Sequence, residues 1–147
     1  MAIRLREQRI DRIAFSLKNF RGVNQDDVNS LAEVGIRNVN HMLKTGHSFE
    51  DRERISRQTW VPEYTILEFV KLSDLARIPG VKGVRARLYY DAGLDTVEKI
   101  AAMEPDELRE RIITYVEETG FKRLPTLPAE AKYTVEKARE LPNIVEY

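Results

Sequence analysis

The chain has 147 residues, enough for one domain with a core of its own. Its 24 lysines and arginines balance 24 aspartates and glutamates, which argues against a strongly basic nucleic-acid binder but leaves room for a local basic face. It holds no cysteine, excluding disulfides, thiolate nucleophiles and cysteine-bound metals, and no apolar run approaches the roughly 18 residues of a membrane span.

In chain order, Ile10, Ile13, Ala14, Leu17 and Phe20 recur at helical spacing and predict a helix over about residues 5–19. The turn at Arg21-Gly22-Val23-Asn24 breaks it. A second helix starts near Gln25, where Asp26 and Asp27 suit the positive helix end. Val28, Leu31 and Ala32 make its buried stripe, and Gly35 is a natural stop. Val39, Met42 and Leu43 mark a short third helix. Ser48 and Asp51 resemble a capping box that opens a polar helix to about Gln58.

Pro62 reads as the first-turn proline of a helix that buries Ile66, Phe69 and Val70. Ser73 is expected to cap a short helix over residues 74–77, ahead of the turn Ile78-Pro79-Gly80-Val81. Val84, Leu88 and Ala92 then form an i, i+4, i+8 stripe closed by Gly93. Asp95 with Glu98 is expected to cap the next helix, which contains Val97, Ile100 and Ala101. Pro105 starts a longer helix that buries Leu108, Ile112 and Val116 and ends at Gly120. Residues 124–128 form a rigid connector, and a last helix over about 128–141 packs through Ala131, Val135 and Ala138. Period-2 alternation is absent throughout, so the fold class is all-α.

Residues 22–39 align without a gap on residues 80–97. Gly22 falls on Gly80, Gly35 on Gly93, Val23 on Val81 and Val39 on Val97. Such a repeat means one supersecondary unit used twice. We therefore expect a single domain over residues 1–147, with a first unit over about 5–58, a second over about 62–120, and a helix at about 128–141.

Ile78, Gly80, Val81, Ala86, Leu88, Gly93 and Leu94 fit the helix-hairpin-helix pattern, and Phe20, Gly22, Val23, Leu31, Gly35 and Ile36 fit the same frame. Over roughly residues 15–116 the chain resembles a bacterial family of uncharacterised proteins with tandem helix-hairpin-helix units. In DNA-binding members of the wider superfamily the hairpin offers backbone N–H groups to a phosphate, so the resemblance implies weak, sequence-independent contact with nucleic acid. The chain departs from the binding pattern at the hairpin's usual second glycine, here Asn24 and Lys82. It departs again at the following basic position, here Asp26 and Val84.

Arg77, Lys82, Arg85 and Arg87 lie between residues 75 and 90 with no acid among them. With Gly80 and the amides of Val81, Lys82 and Gly83 they make the candidate phosphate site: Arg77, Gly80, Val81, Lys82, Gly83 and Arg85. The alternative is a solvated face with Arg87 paired to Asp91. Arg4, Arg6, Arg9 and Arg12 form a second basic group, interleaved with Glu7 and Asp11. Trp60, Tyr89 and Tyr90 could stack on bases, but beside a helical stripe they read first as core. His41 and His47 lack metal-ligand spacing, and no phosphate loop, dinucleotide fingerprint or Gly-x-Ser-x-Gly occurs. The sequence thus predicts a non-catalytic cytoplasmic binding module with no cofactor and no membrane contact. The leading expectation is sequence-independent contact with a nucleic-acid backbone through the second hairpin, and the alternative is a protein-interaction or assembly module whose partner is another protein or a second copy.

Overall fold

The structure is a computed structural model that describes residues 14–122 and 126–147. Among these residues are a 3-10 turn, Leu17–Asn19, and eight α-helices: α1 Gln25–Glu33, α2 Val39–Gly46, α3 Phe49–Thr59, α4 Glu63–Leu75, α5 Gly83–Asp91, α6 Val97–Ala101, α7 Pro105–Thr119 and α8 Pro128–Glu140. The described residues form no strand, only an isolated bridge between Ser16 and Asn38. The chain is all-α.

The repeat is a repeat of structure. At the offset that lays Gly22 on Gly80, α1 falls on α5 and the start of α2 on the start of α6. Gly35 and Gly93 take left-handed φ values of 85° and 88°, where a Cβ is disfavoured. The bonds around them also correspond. Gly35 N–H donates to Ala32 O and Ile36 N–H to Leu31 O, as Gly93 donates to Tyr90 O and Leu94 to Tyr89 O. These pairings satisfy carbonyls that a helix end otherwise leaves open. Asn38 and Thr96 occupy equivalent cap positions and accept from His41 N–H and Lys99 N–H.

The same register builds the core. Leu17, Phe20, Leu31, Ile36 and Met42 are buried, and so are their counterparts Leu75, Ile78, Tyr89, Leu94 and Ile100. Ile66, Phe69, Val70 and Leu72 run along α4 between the two sets, and all join one apolar cluster. Helix α4 packs on α2, α3 and α5, while α8 packs on α6 and α7. The two segments meet directly at Gly83, where a Cβ would collide with the Asn19 carbonyl oxygen. Arg21 N–H donates to Gly83 O, and Arg87 Nε donates to Arg21 O.

Several local expectations need correction. The helix expected over 5–19 lies partly outside the described residues, and its described part is a bend, a bridge and one 3-10 turn. Pro62 is the N-cap of α4 rather than its first residue. Ser73 caps nothing: α4 runs through it, and its buried hydroxyl has no partner among the described residues. Val84 is exposed, so the buried stripe of α5 runs through Ala86, Leu88 and Tyr89. Thr96, not Asp95, caps α6, because Asp95 turns to Lys71 at 2.5 Å and Lys99 at 2.6 Å. Residues 124 and 125 of the expected connector lie outside the described residues.

Candidate functional site

At the second hairpin Gly80 is exposed with φ 86°, and Lys82, also exposed, is the N-cap of α5 without a side-chain cap bond. Val81 is buried and its N–H is spent on Ile78 O at 3.0 Å. Gly83 is buried against residue 19. The structure therefore does not set out the three amides as one open cradle.

The basic side chains around this turn are tied to acids. Arg77 pairs with Asp74 at 2.7 Å and donates to Pro142 O at 2.8 Å. Arg85 pairs with Glu130 of α8. Arg87 pairs with Glu68 at 2.6 Å and Asp91 at 3.5 Å, and its guanidinium lies 5.3 Å from the Tyr90 ring centroid. Of the four cations between residues 75 and 90, Lys82 alone has no ion pair among the described residues. At the first hairpin the Asn24 side chain takes the Asp26 and Asp27 N–H groups, and Arg21 donates to Lys122 O while lying over Phe121.

The most unusual surface is the corner between α3 and α4. Trp60 is 92% exposed and carries the one positive φ outside glycine among the described residues, 64°. Its N–H closes α3 on Ser56 O at 2.9 Å. Ser56 Oγ donates to Val61 O at 2.6 Å, and Val61 N–H donates to Thr59 Oγ1 at 3.3 Å. Val61 is buried, so the corner is pinned from below while the indole stands in solvent. Tyr64 and Phe49 are 77% and 59% exposed. They line a cleft of about 230 Å³ with Arg52, Glu63, Leu67 and Tyr147. The expectation that Tyr89 is core holds, but Trp60 faces water. The signal lay in its spacing: five residues beyond the buried Ile55, Trp60 falls off the α3 stripe.

Beneath this cleft Arg52 is 4% exposed and is held by two carbonyls, Gly46 O at 3.0 Å and Glu146 O at 2.5 Å. Burial lowers its pKa, while the carboxylate of Glu146 opposes the shift. Burial, then the Asp74 carboxylate, pushes the Tyr147 hydroxyl far above the ordinary tyrosine range. His41 joins the Asn38 cap, and His47 Nδ1 lies 3.0 Å from Lys44 O. Among the described residues no group of three His, Asp or Glu side chains could hold a metal, and no helix is long and apolar enough to cross a membrane.

No curated protein and no solved structure matches the chain. A family model does match, over residues 21–141, and it spans both like segments, the α3–α4 corner and α8. With most of its length matched, the chain belongs to the family described as domain of unknown function DUF4332.

Proposed function

We propose that this chain is a non-catalytic interaction module that docks a protein partner on the α3–α4 corner. In this reading the two like segments are helix-hairpin-helix units serving as scaffold. The observation that carries it is Trp60, almost wholly exposed and fixed in a left-handed backbone conformation that a bulky residue rarely adopts. Strain held in place by surrounding structure is a mark of functional sites, and tryptophan is enriched among binding anchors.

The cleft at the start of α4, where Glu63 lies three residues along the chain from Trp60, supports a protein partner over a metabolite. At about 230 Å³ it falls below the roughly 300–1,000 Å³ of small-molecule sites and suits one or two side chains. Its walls are Phe49, Tyr64, Tyr147 and Leu67, with the Arg52 side chain held by main-chain carbonyls. Glu63 lines it, Glu50 adjoins Phe49, and neither acid has an ion pair among the described residues. The fitting partner presents an apolar or aromatic anchor flanked by lysine or arginine. Phosphate contact at the second hairpin is the weaker reading, because it would rest on Lys82 while Arg77, Arg85 and Arg87 are already paired.

Trp60 is the sole tryptophan, so its emission reports on the corner directly. Short synthetic peptides with an aromatic or leucine anchor between basic residues should shift that emission to the blue, saturably. Glu63→Lys should weaken them about tenfold. An emission spectrum unmoved by every such peptide, together with saturable binding of a duplex oligonucleotide, would overturn the proposal.

A further inference from the structure

Residues 142–147 form no helix or strand, yet they are held at four polar points. Arg77 Nη2 donates to Pro142 O at 2.8 Å, and Glu146 N–H donates to His47 O at 2.8 Å. Arg52 Nη2 donates to Glu146 O, and the Tyr147 hydroxyl donates to Asp74 Oδ2 at 2.8 Å. Three of the four contacts read main-chain atoms, and the fourth reads a tyrosine hydroxyl. That is how a groove recognises an extended peptide.

Receptor and occupant differ sharply in burial. Asp74 is 1% exposed and Arg52 4%, whereas Ile144 and Tyr147 remain 42% and 46% exposed. Val145 is the segment's partly buried contact with the core. The groove is thus built into α3 and α4, with Asp74 braced by Arg77 and Arg52 braced by Gly46 O. The segment that fills it is a thin strap lying largely on the surface. Segments with few buried apolar contacts open at the low end of the local stability scale. Lifting the strap would leave Asp74 Oδ2 and an Arg52 N–H to water alone, so a segment that pairs with both can take its place.

We propose that this groove is a peptide-binding site, occupied here in cis by residues 142–147 and able to take an extended partner segment bearing a tyrosine. The ligand class follows from the contacts: a backbone free to pair with His47 O and Arg52, and a tyrosine whose hydroxyl reaches Asp74. The site adjoins the cleft of the α3–α4 corner and shares Arg52 and Tyr147 with it, but His47, Asp74 and Arg77 belong to the groove alone and Trp60 lines neither.

The probe is a synthetic Pro-Asn-Ile-Val-Glu-Tyr peptide, amidated at its end and labelled at its start, titrated by fluorescence anisotropy against the full chain. Tyr147→Phe loosens the strap, so this variant should bind the peptide about tenfold more tightly than the unaltered protein, the worth of one hydrogen bond to a charged group. Replacing the peptide's tyrosine by phenylalanine should weaken binding by a similar factor. Asp74→Asn should erase the preference for tyrosine, and since that change could unfold the chain, the peptide substitution supplies the same test without touching the protein. Trp60→Ala should leave peptide affinity unchanged, which separates failure here from failure of the proposed partner surface. Absence of saturable binding to Tyr147→Phe at about 1 mM peptide, or binding indifferent to the peptide hydroxyl, would show the strap to be purely structural.

Discussion

Trp60 and Gly83 show two ways in which a single residue can oppose its own backbone. A non-glycine residue in the left-handed region carries a penalty of about 1–2 kcal/mol. Trp60 recovers little of it through burial, since its side chain is 92% exposed. Trp60→Gly should therefore raise stability in urea unfolding by up to about 1 kcal/mol while abolishing partner docking, read in this variant by the anisotropy of a labelled peptide because the sole tryptophan is gone. A loss of stability would mean that the indole packs against something. Gly83 is the reverse case, because its missing side chain is what lets the Asn19 carbonyl approach. Gly83→Ala should destabilise the fold far more than Gly35→Ala, where the added Cβ meets nothing within 4 Å and only the left-handed backbone resists. The sequence made Gly35 legible through its place at a helix end. The role of Gly83 depends on Asn19 and Arg21, more than sixty positions away, which no local pattern contains.

At the scale of elements the repeat was the most readable feature, because equal spacing of glycines and apolar residues forces equal turns and equal buried faces. The caps were harder to place, since Asp95 and Thr96 are both good cap residues. The first segment decides between them: Asn38 caps α2, and its counterpart is Thr96. Thr96→Ala should cost about 1 kcal/mol at any pH. Asp95 should behave differently. Burial alone would raise its pKa, but the hydrogen bonds from Lys71 and Lys99 overcome this and hold it below the ordinary carboxylate range. A carboxyl whose folded pKa is depressed contributes stability above its unfolded pKa and loses it as pH falls through the folded value. The stability gap between the unaltered protein and Asp95→Asn should thus be widest near about pH 7. It should close below about pH 4, as the carboxyl protonates. Chemical denaturation across that range measures it, and a gap constant with pH would show that Lys71 and Lys99 do not act through the charge.

Across the whole molecule, equal numbers of cations and anions are compatible with either scattered charge or deliberate pairing, and the sequence could not distinguish them. Local counting saw Arg77, Arg85 and Arg87 as an excess, because two of their chief partners, Glu68 and Glu130, lie on other helices. Those pairs tie α5 to α4 and α8 and leave one cation of the stretch without an ion pair among the described residues. The consequence for nucleic acid is quantitative. Each neutralised phosphate contributes about −0.9 to the slope of log K against log salt on duplex DNA. With Lys82 the one cation of this hairpin free of an ion pair among the described residues, a contact made there should give a slope no steeper than about −1 and should be too weak to saturate at about 50 mM salt. Lys82→Glu should abolish what remains without altering the thermal unfolding of the chain. Anisotropy titrations of a duplex at several salt concentrations give the slope directly. A slope near −3 or −4 that falls when Arg77, Arg85 and Arg87 are replaced by alanine would mean that these side chains leave their carboxylates for phosphates, and the second hairpin would then be the binding surface; a slope unmoved by those changes would put the contact elsewhere on the chain.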